Sequence, residues 1–115
     1  MNVPWWLPFG RVPEIDAAAL FQRLDGDRGP QLVDVRTPAE FAAGHVRGAV
    51  SLPVTSLPSR VEALRLDPSR PVVAICLTAH RSVAAVRLLR RRGYDAAQLA
   101  GGMLAWRARR LPESK

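Results

Sequence analysis

Residues 71–82 read PVVAICLTAHRS, an apolar run that changes abruptly into polar and cationic residues. The apolar part, residues 71–75, predicts a β-strand with both faces buried, as in a parallel sheet covered by helices. From Arg81 to Arg92 apolar residues recur at helical spacing, and Gly93 follows as a left-handed helix cap. The stretch therefore predicts a strand, a short turn and a helix in succession.

The same alternation of strands and helices continues on both sides of this stretch. Residues 37–40 read TPAE, a capping box with proline at the first helical position, and residues 59–62 read SRVE and repeat the box. Alternating elements of this kind predict an α/β domain with a mainly parallel sheet and right-handed crossovers. The predicted helices lie at 16–24, from 38 to Gly44, after 59–62, at 81–92 and around Trp106, and the predicted strands lie at 32–35, 49–52, 71–75 and 94–99.

Length and composition define the organisation of the chain. With 115 residues, of which 48% are hydrophobic and 23% charged, the sequence fits one globular domain and leaves no room for a second. We expect residues 1–11 to form an aromatic and proline-rich arm, which carries Trp5 and Trp6 and packs on a single domain over residues 12–115.

The cysteine and histidine content argues against disulfides and metals. Cys76 is the only cysteine, so no disulfide or cysteine-based metal cluster can form within the chain. His45 and His80 lie far apart without a metal-type spacing, so we expect no metal and no cofactor. No apolar run reaches the roughly 18–20 residues that span a bilayer, and no signal peptide is recognisable. These observations predict a cytoplasmic protein without a membrane span.

The chain is strongly basic. Its formal net charge is +7, and almost all of the basicity is arginine, since Lys115 is the only lysine. Such a field attracts anions in general, including nucleic acid, thiosulfate and acidic proteins, and does not choose among them. Arg87, Arg90 and Arg91 share one predicted helix face, which is typical of a solvated surface. No nucleic-acid-binding module accompanies them, so no specific nucleic-acid partner is expected.

Cys76 stands at the junction between the predicted central strand and helix, where ligands of parallel sheets usually bind. Backbone N–H groups of the turn and the helix N-terminus can form an anion-binding nest that favours a thiolate over a thiol. A thiolate can attack a sulfane sulfur, and the same N–H groups can hold the resulting persulfide. The alternative is a small buried apolar residue that ends a strand. Thr78, His80 and Arg81, all within one turn, favour the functional interpretation.

Three stretches between residues 32 and 106 together resemble the rhodanese-like family. They are residues 76–81 as the active-site loop, Gly101-Gly102 with Trp106 as the closing motif, and an N-terminal signature of Asp34, Val35, Arg36, Glu40, Phe41, Gly44, His45, Val46, Gly48, Ala49, Leu52 and Pro53. The resemblance implies a three-layer domain whose central, mainly parallel sheet has five strands flanked by helices. It also implies a single-domain sulfurtransferase with Cys76 as the catalytic nucleophile. The loop that binds the persulfide would consist of Leu77, Thr78, Ala79, His80 and Arg81.

The roles of side chains around this loop stay open. We expect Arg81 to pack beneath the loop and to pair with Asp34 or Glu40 as a scaffold, although it can instead face bound anions. Arg36 can attract an anionic donor such as thiosulfate, or it can form an ion pair with a nearby carboxylate. His45 is expected to be a hydrogen-bonding scaffold residue.

Within the loop, backbone groups are expected to count more than side chains. Leu77 and Thr78 contribute mainly their amides, and His80 either hydrogen-bonds a substrate or faces water. Ala79 replaces the glycine that many active members of the family carry at this position. If the position needs a positive φ, alanine adds strain and slightly reshapes the loop.

Three functions fit these observations. The first is transfer of sulfane sulfur from a small anionic donor such as thiosulfate to a thiol or cyanide, through a persulfide on Cys76. The second is a cysteine phosphatase or arsenate reductase, but those loops place five residues between cysteine and arginine, whereas four intervene here. The third is a non-catalytic sulfur carrier or binding module that docks to an acidic acceptor protein. In each case we expect a monomer or weak dimer.

Overall fold

Strands and helices alternate along the computed structural model, which describes residues 3–7, 10–25, 28–78 and 80–115. The strands are β1 (Glu14–Ile15), β2 (Gln31–Asp34), β3 (Val50–Ser51), β4 (Val72–Ile75) and β5 (Ala96–Leu99). The α-helices are α1 (Ala17–Arg23), α2 (Pro38–Ala43), α3 (Leu57–Arg60), α4 (His80–Arg91) and α5 (Gly102–Ala108), and 3-10 turns cover Val54–Ser56 and Val61–Leu64.

The strands form one parallel sheet of five strands in the order β1-β5-β4-β2-β3. Because β4 lies between β5 and β2, the residue that follows it, Cys76, stands at the carboxyl edge in the middle of the sheet. Helices cover both faces. The predicted α/β class, with a parallel five-stranded sheet flanked by helices, is confirmed.

Alternation along β4 divides the core into two layers. Val72, Ala74 and Cys76 belong to the layer that packs under α4, whereas Val73 and Ile75 belong to the layer covered by α1 and α5. All five side chains are at most 3% exposed. The central strand is therefore buried on both faces, which accounts for its uninterrupted apolar sequence.

One of the two predicted capping boxes exists. Thr37 caps α2, since its hydroxyl accepts the N–H of Glu40 at 3.2 Å and the Glu40 carboxylate accepts the N–H of Thr37 at 3.0 Å. The box predicted at Ser59 is wrong. Helix α3 already begins at Leu57, and the Ser59 hydroxyl donates instead to the carbonyl of Ser56 at 3.3 Å.

Of the five strands, β1 is the one for which the sequence pattern predicted no segment. Residues 12–15 were expected only to lead into the first helix, but Glu14 pairs with Gln98 and Ile15 with Leu99 at the edge of the sheet. A strand of two residues has no periodic pattern of its own, so it forms only because β5 offers a partner.

The described part of the N-terminal arm packs on its own domain. Trp5 is half-buried against the core layer under α4, whereas Trp6 is 59% exposed. The guanidinium of Arg87 donates to the carbonyl of Leu7 at 2.5 Å, which ties the arm to α4. In the part of the chain that the structure describes, no helix is long and apolar enough to cross a membrane. The arm residues outside the description are 1–2 and 8–9.

The core layer under α4 generates a stability prediction. Leu89 is 0% exposed, so Leu89→Ala should lower the free energy of unfolding by about 2–5 kcal/mol through lost burial and the cavity left behind. Leu104→Ala is the matched control, because Leu104 is 53% exposed and its truncation should change stability by at most about 0.5 kcal/mol. Urea unfolding followed by circular dichroism measures both, and equal losses would contradict the assignment of Leu89 to the core.

Candidate active site

Cys76 follows β4 directly, and α4 begins at His80, so the loop between them is short. The cysteine is 1% exposed, Leu77 is half-buried, and Thr78 and His80 are exposed at the rim. The structure therefore places the sulfur at the bottom of the loop and the polar residues at its mouth. Ala79, for which we predicted strain at positive φ, lies outside the described residues.

The first turn of α5 holds the backbone of this loop. The N–H groups of Met103 and Leu104 donate to the carbonyls of Cys76 and Leu77, at 2.8 and 3.1 Å. Gly102 has a φ of 58° and lies so close that a Cβ atom on it would stand 2.4 to 2.6 Å from the carbonyl oxygens of residues 76–78.

The direction of these carbonyls determines the direction of the loop's N–H groups. In a trans peptide the C=O and the following N–H point in opposite directions. Since the carbonyls of Cys76 and Leu77 turn towards α5, the N–H groups of Leu77 and Thr78 point away from it. Several N–H groups on one side of a curled loop are what an anion-binding nest requires.

An ion pair joins α4 to the start of α2 beside the loop. Arg81 donates to both carboxylate oxygens of Glu40, at 2.6 and 2.9 Å. The hydrogen bond from Arg81 is the main cause that lowers the pKa of Glu40 from 4.5 to about 2, and it raises the pKa of Arg81. The structure thus places the Arg81 side chain in the scaffold position, with Glu40 rather than Asp34 as its partner.

Arg36 corrects a sequence-based expectation. It was considered as a group that attracts an anionic donor, but its side chain is 2% exposed and its guanidinium lies 2.7 Å from the carboxylate of Asp34, which is 0% exposed. The same guanidinium donates to the carbonyl of Gly44 at 2.7 Å. The charge is already neutralised inside the protein, so the ion-pair alternative describes this residue.

His45 and Trp106 have structural contacts. The His45 ring stacks on Phe41 with centroids 3.7 Å apart, and its Nδ1 lies 2.8 Å from the carbonyl of Phe41. Its backbone exchanges two hydrogen bonds with Ser114, at 2.9 and 2.7 Å. Trp106 is 1% exposed and donates its indole N–H to the carbonyl of Pro112 at 2.9 Å. These contacts support a scaffold role for both residues.

Sequence reasoning missed a chain of polar side chains that starts at the sulfur. The Cys76 thiol donates to the Ser82 hydroxyl at 3.3 Å, Ser82 donates to the Gln98 carbonyl oxygen at 2.7 Å, and Gln98 donates to Glu14 at 3.2 Å. The only signal in the sequence is that Gln98 is a lone polar residue in the apolar strand β5. We refer to these residues below as the Ser82–Gln98–Glu14 chain.

Comparison with known proteins identifies the class to which this fold and site belong. The model of the rhodanese-like domain family matches residues 17–109, so the chain belongs to the rhodanese-like family and the resemblance noted above is confirmed. A solved structure of a rhodanese-related protein from Thermoplasma volcanium superposes with a TM-score of 0.80 at 25% identity, covering 90% of this chain and 98% of that one.

Two curated relatives carry names that describe an activity. A protein named sulfurtransferase from Allochromatium vinosum is 40% identical over 102 residues, which are 88% of this chain and 94% of the relative. The thiosulfate sulfurtransferase GlpE from Stutzerimonas stutzeri is 34% identical and covers 86% of this chain and 85% of its own length. These relatives support sulfur transfer in general for this chain.

The contact between Gly102 and the loop leads to a prediction about the site. Gly102→Ala should destabilise the fold by more than the roughly 1–2 kcal/mol cost of a left-handed backbone, because the added methyl group also displaces three carbonyls, and it should change the alkylation rate of Cys76. The matched control is Gly93→Ala, since Gly93 has a φ of 94° and an added Cβ there would meet nothing within 4 Å. Urea unfolding and iodoacetamide labelling measure the two effects. Identical behaviour of the two variants would show that the loop does not depend on the contact.

The Arg81–Glu40 ion pair leads to a prediction about stability at different pH values. The pKa of Glu40 is lower in the folded state, so its contribution is complete above about 4.5 and is lost as the pH falls to about 2. Glu40→Gln should therefore cost about 1 kcal/mol at pH 7, since exposed pairs contribute little and this pair is about one-third exposed. The difference from wild type should shrink through the same pH window.

Glu62→Gln is the control for this measurement, because Glu62 also pairs with an arginine, at 2.7 Å, but is 70% exposed. Its cost at pH 7 should be smaller than that of Glu40→Gln. Urea unfolding at a series of pH values tests both, and a Glu40→Gln cost that does not depend on pH would refute the linkage.

Proposed function

We propose that this protein is a sulfurtransferase that carries sulfane sulfur as a persulfide on Cys76. The donor is a small sulfur-containing anion such as thiosulfate, and the acceptor is cyanide or a thiol, which can belong to an acidic acceptor protein. The observation that carries the proposal is the position of Cys76, buried at the bottom of a loop whose carbonyls are held by α5. This position lies at the carboxyl edge of the central strand, where parallel sheets bind their ligands.

The reaction has two displacement steps. The Cys76 thiolate attacks the outer sulfur of thiosulfate, the S–S bond of thiosulfate breaks, and sulfite leaves with the electron pair. The acceptor then attacks the terminal sulfur of the Cys76 persulfide. The new bond forms to the acceptor, and the thiolate of Cys76 leaves with the electron pair and is regenerated.

Backbone groups supply the positive potential for this chemistry. Arg36 and Arg81, the two arginines considered for anion binding, are bound to carboxylates at 2.7 and 2.6 Å. The negative charge of the donor and of the persulfide is then stabilised mainly by the N–H groups of Leu77 and Thr78 and by the N-terminus of the twelve-residue helix α4. The net charge of +7 adds a long-range attraction for anions.

The size of the loop favours sulfur over a phosphate. Four residues separate Cys76 from Arg81, one fewer than in phosphatase or arsenate reductase loops. A phosphatase also needs its arginine to grip the oxyanion, and here Arg81 is bound to Glu40 through two hydrogen bonds. The small loop therefore suits one sulfur atom.

Intact-mass analysis tests the proposed cargo. After exposure to thiosulfate the protein should gain the mass of one sulfur atom, and cyanide should remove it with formation of thiocyanate. Cys76→Ser, which replaces sulfur by oxygen with little change in volume, should gain no mass and show no turnover. Loading without turnover would instead indicate a sulfur carrier, and hydrolysis of an aryl phosphate that depends on Cys76 would indicate a phosphatase.

A further inference from the structure

The Ser82–Gln98–Glu14 chain connects the buried sulfur with the edge of the sheet. Ser82 is 0% exposed and Gln98 is 5% exposed, whereas Glu14 lies at the surface on the edge strand β1. Glu14 and Gln98 are register partners in neighbouring strands, so their side chains lie side by side. The protein thus links the sulfur of Cys76 to a carboxylate through two buried side chains.

The carboxylate determines the direction of every hydrogen bond in this chain. An ionised carboxylate only accepts, so Glu14 holds the NH₂ group of Gln98 outward and leaves its carbonyl oxygen inward. That carbonyl also only accepts, and the Ser82 hydroxyl donates to it at 2.7 Å. Ser82 consequently presents a lone pair to the sulfur, and the Cys76 thiol donates to it at 3.3 Å.

This direction favours one form of the cysteine. A thiol can donate to the lone pair of Ser82, whereas a thiolate would meet it as a second acceptor. A thiolate at Cys76 would attract the Ser82 hydrogen, and a Ser82 hydroxyl that turns towards sulfur withdraws its hydrogen bond from the buried carbonyl of Gln98. If the Gln98 amide flipped, its NH₂ group could donate to Ser82 and the Ser82 hydrogen could point to the sulfur. The flip would, however, place the Gln98 carbonyl oxygen against the Glu14 carboxylate.

We infer that Glu14 and Gln98 are positioning residues that act through Ser82 and restrain Cys76 in its thiol form. The inference deepens the proposed function, because it names side chains that regulate the reactivity of the same sulfur. It rests on that function only for its biological meaning, since the thiol–thiolate balance can be measured without any sulfur donor.

Other charged or titratable groups lie near the Ser82–Gln98–Glu14 chain, and the experiment leaves them unchanged. Arg81 interacts electrostatically with Cys76 from α4. His80 is exposed in the first turn of the same helix, and Arg11 lines a surface groove together with Glu14 and Gln98. None of these groups is altered in the variants below.

The test measures alkylation of the single cysteine by iodoacetamide across a series of pH values. In Glu14→Gln the new amide can donate to a flipped Gln98, which then donates to Ser82 and leaves its hydrogen for the sulfur. The rate at pH 7 should rise about 3- to 10-fold, as expected for gain of one hydrogen bond to the thiolate. Gln98→Met removes the amide at nearly constant volume and charge, and it should accelerate alkylation in the same direction.

A matched variant separates this effect from a change of net charge. Glu62→Gln removes one negative charge at a site that is 70% exposed, and it should leave the rate unchanged. Acceleration in Glu14→Gln that disappears in ~1 M salt, where charges are screened within about 3 Å, would overturn the inference. So would an unchanged rate in Glu14→Gln, or an unchanged rate in a folded Gln98→Met.

The result is independent of sulfur transfer itself. Faster alkylation in Glu14→Gln together with normal persulfide loading supports both proposals. An unchanged alkylation rate together with normal loading overturns only the inference. Accelerated alkylation in a protein that never gains sulfur from any donor would overturn only the proposed function.

Discussion

The contact between Gly102 and the backbone of residues 76–78 is the constraint on which the site depends. A Cβ atom at position 102 would clash with three carbonyl oxygens of the loop. The left-handed φ of 58° is itself unfavourable for residues other than glycine. In a trans peptide the N–H that follows a carbonyl points in the opposite direction. Carbonyls that point towards α5 are therefore followed by N–H groups that point away from it, and this contact sets the direction of the hydrogen-bond donors in the loop. A residue without a side chain therefore sets the orientation of the loop backbone.

Two arginines, Arg36 and Arg81, stabilise the architecture of the candidate site. Arg36 is buried with Asp34 and also binds the carbonyl of Gly44 at the end of α2. Arg81 joins α4 to Glu40 near the start of the same helix. The Arg36 hydrogen bond to Gly44 and the Arg81–Glu40 ion pair thus fix α2 against the segments that follow β2 and β4. A buried charge must be paired in this way, since leaving it unpaired is strongly unfavourable.

The parts of the fold predicted correctly are those with strong local signals. The apolar run at 71–75 indicates a strand buried on both faces, and the box at residues 37–40 indicates a helix start, as found. The same box at residues 59–62 fails, because the chain enters α3 earlier through Leu57, and local patterns compete with packing. Strand β1 carries no local signal, since pairing with β5 creates it.

The geometry of the candidate site was predictable where one segment forms it and unpredictable where distant segments meet. Cys76 and its loop follow from the junction between strand and helix. The pairing of Arg36 with Asp34 was also within reach, because residues two apart in an extended chain point to the same side. By contrast, the link from Ser82 to Gln98 spans 16 residues and the link from Gln98 to Glu14 spans 84, and only the strand order β1-β5-β4 brings them together.

Two sets of hydrogen bonds from different parts of the fold consequently meet at Cys76, one at its backbone and one at its sulfur. The first turn of α5 orients the loop so that its N–H groups can stabilise negative charge, whereas the Ser82–Gln98–Glu14 chain offers a lone pair that only a thiol can use. Cys76 is 1% exposed, so protein groups rather than water surround its sulfur. The side-chain link runs on the α4 side of the sheet, whereas α5 holds the backbone of the loop from the other side. A substitution on the edge strand is therefore expected to change the reactivity of Cys76 while the loop backbone stays in place.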